Sequence, residues 1–245
     1  MGTEDRAYMG ADYATGSVAD ATIAVRAQFL RKTYSHLFGA IALFVGLEVL
    51  LFQLPNLQAF ALWPFRGGIN GLIYMLGYIF FSNVAERQAQ SATKVSTQYA
   101  WLGFYVLLET AFFLPVLYWA SLRGGDIIPT AGVMTLTVFG VLTMLVVFTK
   151  KDFEFLGPAI RLAMISALIL IALAIILPLF GIPFHLGGFF AGFMVVVAAA
   201  IILYQTSNVL HRYESSQHVA ASLALFASVA LLFWYLLQLV QSGDD

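Results

Sequence analysis

The chain has 245 residues, 61% of them hydrophobic and 10% charged, with no cysteine and a formal net charge of −1. Soluble domains carry roughly 25% charged residues, so this composition excludes an ordinary water-facing surface and makes lipid the natural solvent. The charge argues against a nucleic-acid partner, which would need a basic face, and the lack of cysteine excludes disulfides, thiolate catalysis and Cys-bound metals.

Residues 1–32 read as a separate polar tail, disordered up to about Asp20. No apolar run lies near enough to Met1 for a cleavable signal peptide, and Arg6 stands where a myristoylation signal needs Ser or Thr. Ala21 to Lys32 reads two ways. It is a short amphipathic surface helix, with Ile23, Val25, Phe29 and Leu30 set against Arg26, Arg31 and Lys32, or a frayed extension of the first span.

Seven apolar segments follow, at about 33–53, 69–85, 97–121, 127–149, 155–180, 184–209 and 218–240. Each approaches or exceeds the ~20 residues a helix needs to cross a ~30 Å hydrocarbon core. The second is the shortest. Leu54 to Gly68, broken by Pro55, Pro64 and Gly67-Gly68, reads as an interfacial or re-entrant loop. Backbone polar groups in lipid must pair internally, which leaves helices or a closed barrel. Runs this long are not the alternating strands of a barrel. The expected fold is therefore all-α: a polytopic membrane protein with a seven-transmembrane-helix bundle over 33–240 and a short tail at 241–245.

Lys and Arg set the orientation. Nine fall on one side (Arg6, Arg26, Arg31, Lys32, Arg87, Lys94, Lys150, Lys151, Arg212), two on the other (Arg66, Arg123), and Arg161 lies inside the fifth span. This predicts a cytoplasmic N-terminus, with the acidic C-terminus on the opposite side. Gly188-x-x-x-Gly192 is a small-residue pattern that favours packing within the bundle over a dimer contact. Trp63, Trp101, Trp119 and Trp234 fall near span ends, as interfacial anchors do.

Ionisable groups inside spans are costly, at about 2.5–3.5 kcal/mol each on insertion scales, and so are candidates for function. Glu109 is the foremost: at about 18 Å into the third span, its carboxyl group either holds a proton, binds a cation or is a neutral hydrogen-bonding partner of a neighbouring helix. Arg161, about 9 Å from the cytoplasmic end of the fifth span, either snorkels to the interface or faces the bundle. Tyr204-Gln205-Thr206-Ser207-Asn208 ends the sixth span. These polar side chains cannot all face lipid, so Gln205 and Asn208, at i and i+3, are expected to point inward together. Glu48 reads as a rim residue. The histidines form no metal pair at helical spacing, and neither a nucleophile elbow nor a phosphate loop is present. No cofactor and no enzyme activity is expected.

Three polar segments carry a resemblance: Phe29-Leu30-Arg31-Lys32-Thr33-Tyr34, Thr149-Lys150-Lys151-Asp152-Phe153-Glu154-Phe155-Leu156-Gly157, and Ile202-Leu203-Tyr204-Gln205-Thr206-Ser207-Asn208-Val209-Leu210-His211. Together they resemble the Bax inhibitor-1/YccA family, closest to its bacterial YccA branch, over about residues 28–240. The resemblance implies a central helix wrapped by six others in a bacterial inner membrane. It also implies two roles. One is modulator and substrate of the membrane AAA protease FtsH, engaged through the cytosolic N-terminal tail. The other is a pH-sensitive calcium or proton leak, gated by two aspartates in the last two helices. Here Gln205 and Ser228 stand at those two acidic positions. Neither titrates near neutrality, so the leak mechanism does not transfer directly. The candidate ion or proton pathway is then Glu109, Arg161, Gln205, Asn208 and Ser228, with Glu109 in place of the missing pair.

Overall fold

The computed structural model describes residues 18–66, 68–149 and 151–243. Among these the regular elements are helical, and seven are long: α1 (Ile23–Leu51), α2 (Gly68–Ser91), α3 (Val95–Arg123), α4 (Ile127–Thr149), α5 (Leu156–Leu179), α6 (Gly188–His211) and α7 (His218–Gly243). The chain is a polytopic all-α membrane protein. Six of the seven are long and apolar enough to cross a bilayer. The exception is α2, whose 24 residues rise about 36 Å but whose last turns carry Glu86, Arg87, Gln88 and Gln90. The region between α1 and α2 is irregular, as its prolines require, with a short helix at Leu57–Ala61 and a 3₁₀ turn at Trp63–Phe65.

α1 begins ten residues ahead of the expected span, because Thr22 caps it. The Thr22 hydroxyl accepts the Val25 N–H at 3.4 Å, supplying one of the partners that a helix start lacks. The Ala21–Lys32 stretch is thus continuous with the first span rather than a separate surface helix. The order extends upstream. Val18 is fully buried and its N–H donates to the Tyr213 carbonyl at 2.8 Å. The Arg26 guanidinium returns to the Val18 carbonyl at 3.2 Å and to the Ala19 carbonyl. The disorder expected up to about Asp20 therefore does not hold for residues 18–20. The rest of the tail, residues 1–17, lies outside the described residues.

α7 is the axis of the bundle. Seventeen of its 26 residues are buried, and α1, α2, α3, α4 and α6 all pack on it. A helix apolar on every side belongs in an interior, and the small residues Ala220, Ala221, Ser222 and Ala224 let its neighbours approach. Gly188 faces the Ser242 side chain and Gly192 faces Leu239, so this small-residue pattern serves α6–α7 packing inside the bundle. α5 is the most peripheral helix: Ala167 is its one buried residue, and it leans on α6 and α2. Large apolar side chains such as Phe148, Leu162 and Phe189 lie exposed, where lipid replaces water as their surroundings.

Trp63 and Trp119 are exposed, as interfacial anchors are. Trp234 departs from that expectation. It stacks on Phe112, ring centroids 4.7 Å apart, and meets Phe113 edge-on, in an aromatic layer between α3 and α7.

Candidate functional site

Glu109 is completely buried. Tyr78 on α2 donates its hydroxyl to Glu109 Oε1 at 2.8 Å. Glu109 Oε2 has no hydrogen-bond partner among the described residues, although Tyr105, one helical turn earlier on α3, interacts with this carboxyl group. Tyr105 is itself buried, and its hydroxyl reaches Glu86 Oε1 at 3.4 Å. The two tyrosines also interact with each other. Two carboxyl groups are thus bridged by two phenols at the α2–α3 contact.

Pro115 helps to set this geometry. It lacks an N–H, so the carbonyl of Ala111 four residues earlier loses its helical partner. Tyr74 supplies the missing donor, bonding the Ala111 carbonyl at 3.1 Å and the adjacent Phe112 carbonyl. One turn along α2, Tyr78 stacks on the Phe112 ring at 3.8 Å, which holds its hydroxyl towards Glu109.

The sequence reading missed Glu86, one residue beyond the expected end of the second span, and read the tyrosines as apolar. A signal was available. Tyr74, Tyr78, Ser82, Glu86 and Gln90 recur every fourth residue, a polar stripe that winds slowly round a membrane helix, each member beside the next. Glu48 also departs from expectation: it is buried at 6% exposure, and neither carboxylate oxygen has a partner among the described residues.

The other four candidates do not join Glu109. Arg161 is exposed on the peripheral helix α5, the snorkelling arrangement. Ser228 is buried and donates to the Ala224 carbonyl of its own helix at 2.8 Å. Gln205 and Asn208 do lie together, at 3.5 Å, but they are only half-buried. They border an open polar cavity of about 350 Å³ at the end of α6, shared with Gln90, Arg212 and Tyr213. The inward-facing polar residues of that run are instead Thr206 and Ser207, both fully buried.

The reason is tertiary. The α4–α5 loop folds back over the end of α6. Ser207 donates to Asp152 Oδ1 at 3.1 Å and accepts the Phe153 N–H at 3.0 Å. Arg212 bonds Asp152 at 3.1 Å, Glu154 at 2.6 Å and Asn208 at 3.1 Å. Two of the three family-like segments thus meet in one latch. Its ion pair is partly exposed, Arg212 at 34% and Asp152 at 46%, and contributes at most about 1 kcal/mol; the bonds to buried Ser207 add to it.

Slight burial raises the Asp152 carboxyl, but the Glu154 N–H, Ser207, Arg212 and His211 outweigh it and hold the group below the usual aspartate value. A depressed carboxyl stabilises the fold above its unfolded value, about 3.9, and loses that contribution as pH falls through the folded one. The latch is therefore closed at neutral pH and opens only in stronger acid. In this cysteine-free chain, a Phe153→Cys reporter is expected to resist a water-soluble maleimide at pH 7. Adding Asp152→Asn should expose it, and equal labelling rates in the two backgrounds would refute the latch.

Among the described residues no group of three or more His, Asp or Glu side chains is placed to hold a metal. His36 and His218 do approach, with ring centroids 5.3 Å apart, and His36 bonds Tyr99 at 2.6 Å.

Comparison with known proteins adds the following. The family model described as Inhibitor of apoptosis-promoting Bax1 matches residues 26–245. Protein PA2604 of Pseudomonas aeruginosa is 31% identical over 88% of this chain and 90% of its own length. Bax inhibitor 1 of Schizosaccharomyces pombe is 28% identical over 94% of this chain and 84% of its own. The Escherichia coli protein named Modulator of FtsH protease YccA is 28% identical over 72% and 76%. No solved structure matches the chain.

Proposed function

The chain belongs to the Bax inhibitor-1 family, and from that premise we propose that it is a regulator of a membrane AAA protease of the FtsH type, acting as its modulator or substrate. The observation that carries this reading is the alignment with the E. coli relative named as a modulator of that protease, over 72% of the chain. The separation of Arg161 and Ser228 from Glu109 supports an interacting role over a leak through the bundle.

In this reading the protein sits in the inner membrane with seven spans, α2 being the seventh. Supporting α2 as a span are its length and its packing against α3, α5 and α7. The nine-to-two distribution of Lys and Arg supports a cytoplasmic N-terminus, and in this reading the polar segment ahead of Val18 is the handle for the protease. Because Val18 and Arg26 belong to the folded bundle, the deletion that tests the handle is residues 2–16. Removing them should lengthen the half-life of the chain in cells carrying the protease and reduce its co-purification with it. An unchanged half-life with unchanged co-purification would refute the handle.

A further inference from the structure

We propose that Glu86, Tyr105, Tyr78 and Glu109 form an internal proton-binding site that fills from the polar cavity at the end of α6. This goes beyond the protease reading, and neither depends on the other.

Three observations carry it. The first is the unpartnered, fully buried Oε2 of Glu109. A carboxylate oxygen without a donor in a low-dielectric interior is costly, and a proton on that oxygen removes the charge. The second is a series of exchangeable groups leading towards it. Gln90 and Tyr213 border the cavity. Tyr213 interacts with both Gln90 and Glu86, Tyr105 reaches Glu86 at 3.4 Å and interacts with Glu109, and Tyr78 holds the other oxygen of Glu109 at 2.8 Å. The third is the four-residue polar spacing of α2, which sets Tyr78, Ser82, Glu86 and Gln90 about one turn apart, in order, from the Glu109 contact towards the cavity.

The transfer balances as an exchange of one proton. Protonated Glu86 gives its proton to the Tyr105 hydroxyl oxygen while the hydrogen already on that oxygen passes to Glu109 Oε2. Glu86 is left ionised, Glu109 neutral and Tyr105 unchanged. Rotation of the Tyr105 hydroxyl back towards Glu86 resets the relay. A 3.4 Å O–H···O contact is long for a settled hydrogen bond, which leaves the hydroxyl free to turn.

α4 contains no ionisable residue, and α7 contributes only His218 at its start and Tyr235 in the contact with α6. α5 carries the exposed Arg161. From α1, Glu48 reaches this region by way of Tyr74, which interacts with both Glu48 and Glu109. The other charged side chains of α1, Arg26, Arg31 and Lys32, lie in its first turns. Around Glu109 the remaining contacts are aromatic, with Phe112 stacked on Tyr78 and Phe226 against Tyr105.

The test is infrared difference spectroscopy of the full chain in proteoliposomes, acid minus alkaline. The carbonyl bands of protonated carboxylic acids should include a component in the wild type that is lost in Glu109→Gln and persists in Arg161→Gln. In Tyr105→Phe that component should remain but exchange its proton for deuterium more slowly, by about tenfold, the equivalent of about 1.4 kcal/mol at the barrier. Tyr78→Phe, which removes the bond to Oε1, should shift its position without slowing exchange. Carbonyl bands indifferent to Glu109→Gln overturn the site. Unslowed exchange in Tyr105→Phe overturns the path, because water would then reach Glu109 directly. Each variant is scored only with wild-type thermal unfolding, and Glu109→Asp, which should shift the position of that component, substitutes for a Gln variant that fails to fold; an unshifted component there overturns the site.

Discussion

Truncating Gln98 to alanine is expected to destabilise the bundle by about 2–4 kcal/mol, at roughly 1–3 kcal/mol for each buried polar group left unpaired. Gln98 lies at the start of α3 and is completely buried. Its amide nitrogen donates to the Ala92 carbonyl at 3.1 Å and to the Ser216 carbonyl at 3.4 Å, and its amide oxygen accepts the Ala220 N–H at 3.2 Å. One side chain therefore joins the α2–α3 turn to the α6–α7 turn and caps the first turn of the central helix, where backbone donors have no intrahelical partner. Gln98→Glu keeps the acceptor and loses the donors, so it should fall between wild type and alanine. Unfolding in mixed micelles with increasing denaturing detergent measures all three. A Gln98→Ala curve overlying that of the wild type would show that the turns hold together without it.

Phe113→Ala is expected to cost a similar amount for a different reason. Phe113 is 1% exposed; it stacks on Phe233 at 5.4 Å and meets Phe44 and Trp234 edge-on, each at 5.4 Å. In water, most of the penalty for removing a core phenylalanine would be lost transfer from solvent. In a bilayer a separated helix would present that ring to lipid, so the transfer part largely cancels. What remains is the cavity, at about 24 cal/mol per Å³, and the ring contacts, at about 0.5–1.5 kcal/mol per pair, giving about 2–4 kcal/mol. Phe113→Leu, which fills most of the space without the ring geometry, should recover about half. The same detergent titration reads it. Equal losses for leucine and alanine would assign the energy to aromatic geometry, and no loss in either would show that the α1–α3–α7 layer repacks.

The helices were legible because long apolar runs have few alternatives in lipid. The fourth was placed end to end at 127–149. Where the reading fell short, the cause lay outside the local sequence. The start of α1 depends on Thr22 and on the return of Arg26 to the Val18 and Ala19 carbonyls, contacts that hydropathy does not register. Glu109 could be found by depth alone, but its partners are tyrosines, whose rings count as apolar and whose hydroxyls matter only once α2 and α3 are side by side. Gln205 and Asn208 were given the inward role that Thr206 and Ser207 fill, because the α4–α5 loop that covers Ser207 is more than fifty residues away in sequence. In each case the local pattern established that a polar group had to be satisfied, and the tertiary fold decided by whom.

The element around which the bundle assembles follows the other six long helices in chain order. Chains emerge from the ribosome N-terminus first, so α1 to α6 reach the membrane before the surface they share exists. Until α7 arrives, Leu37, Phe113, Ala131 and Ile202 lack the central helix that completes their shared cluster. A nascent or prematurely terminated polypeptide is then a loose set of spans rather than a smaller version of the protein. Quality control in the membrane would meet a sharp distinction between copies with α7 in place and copies without it.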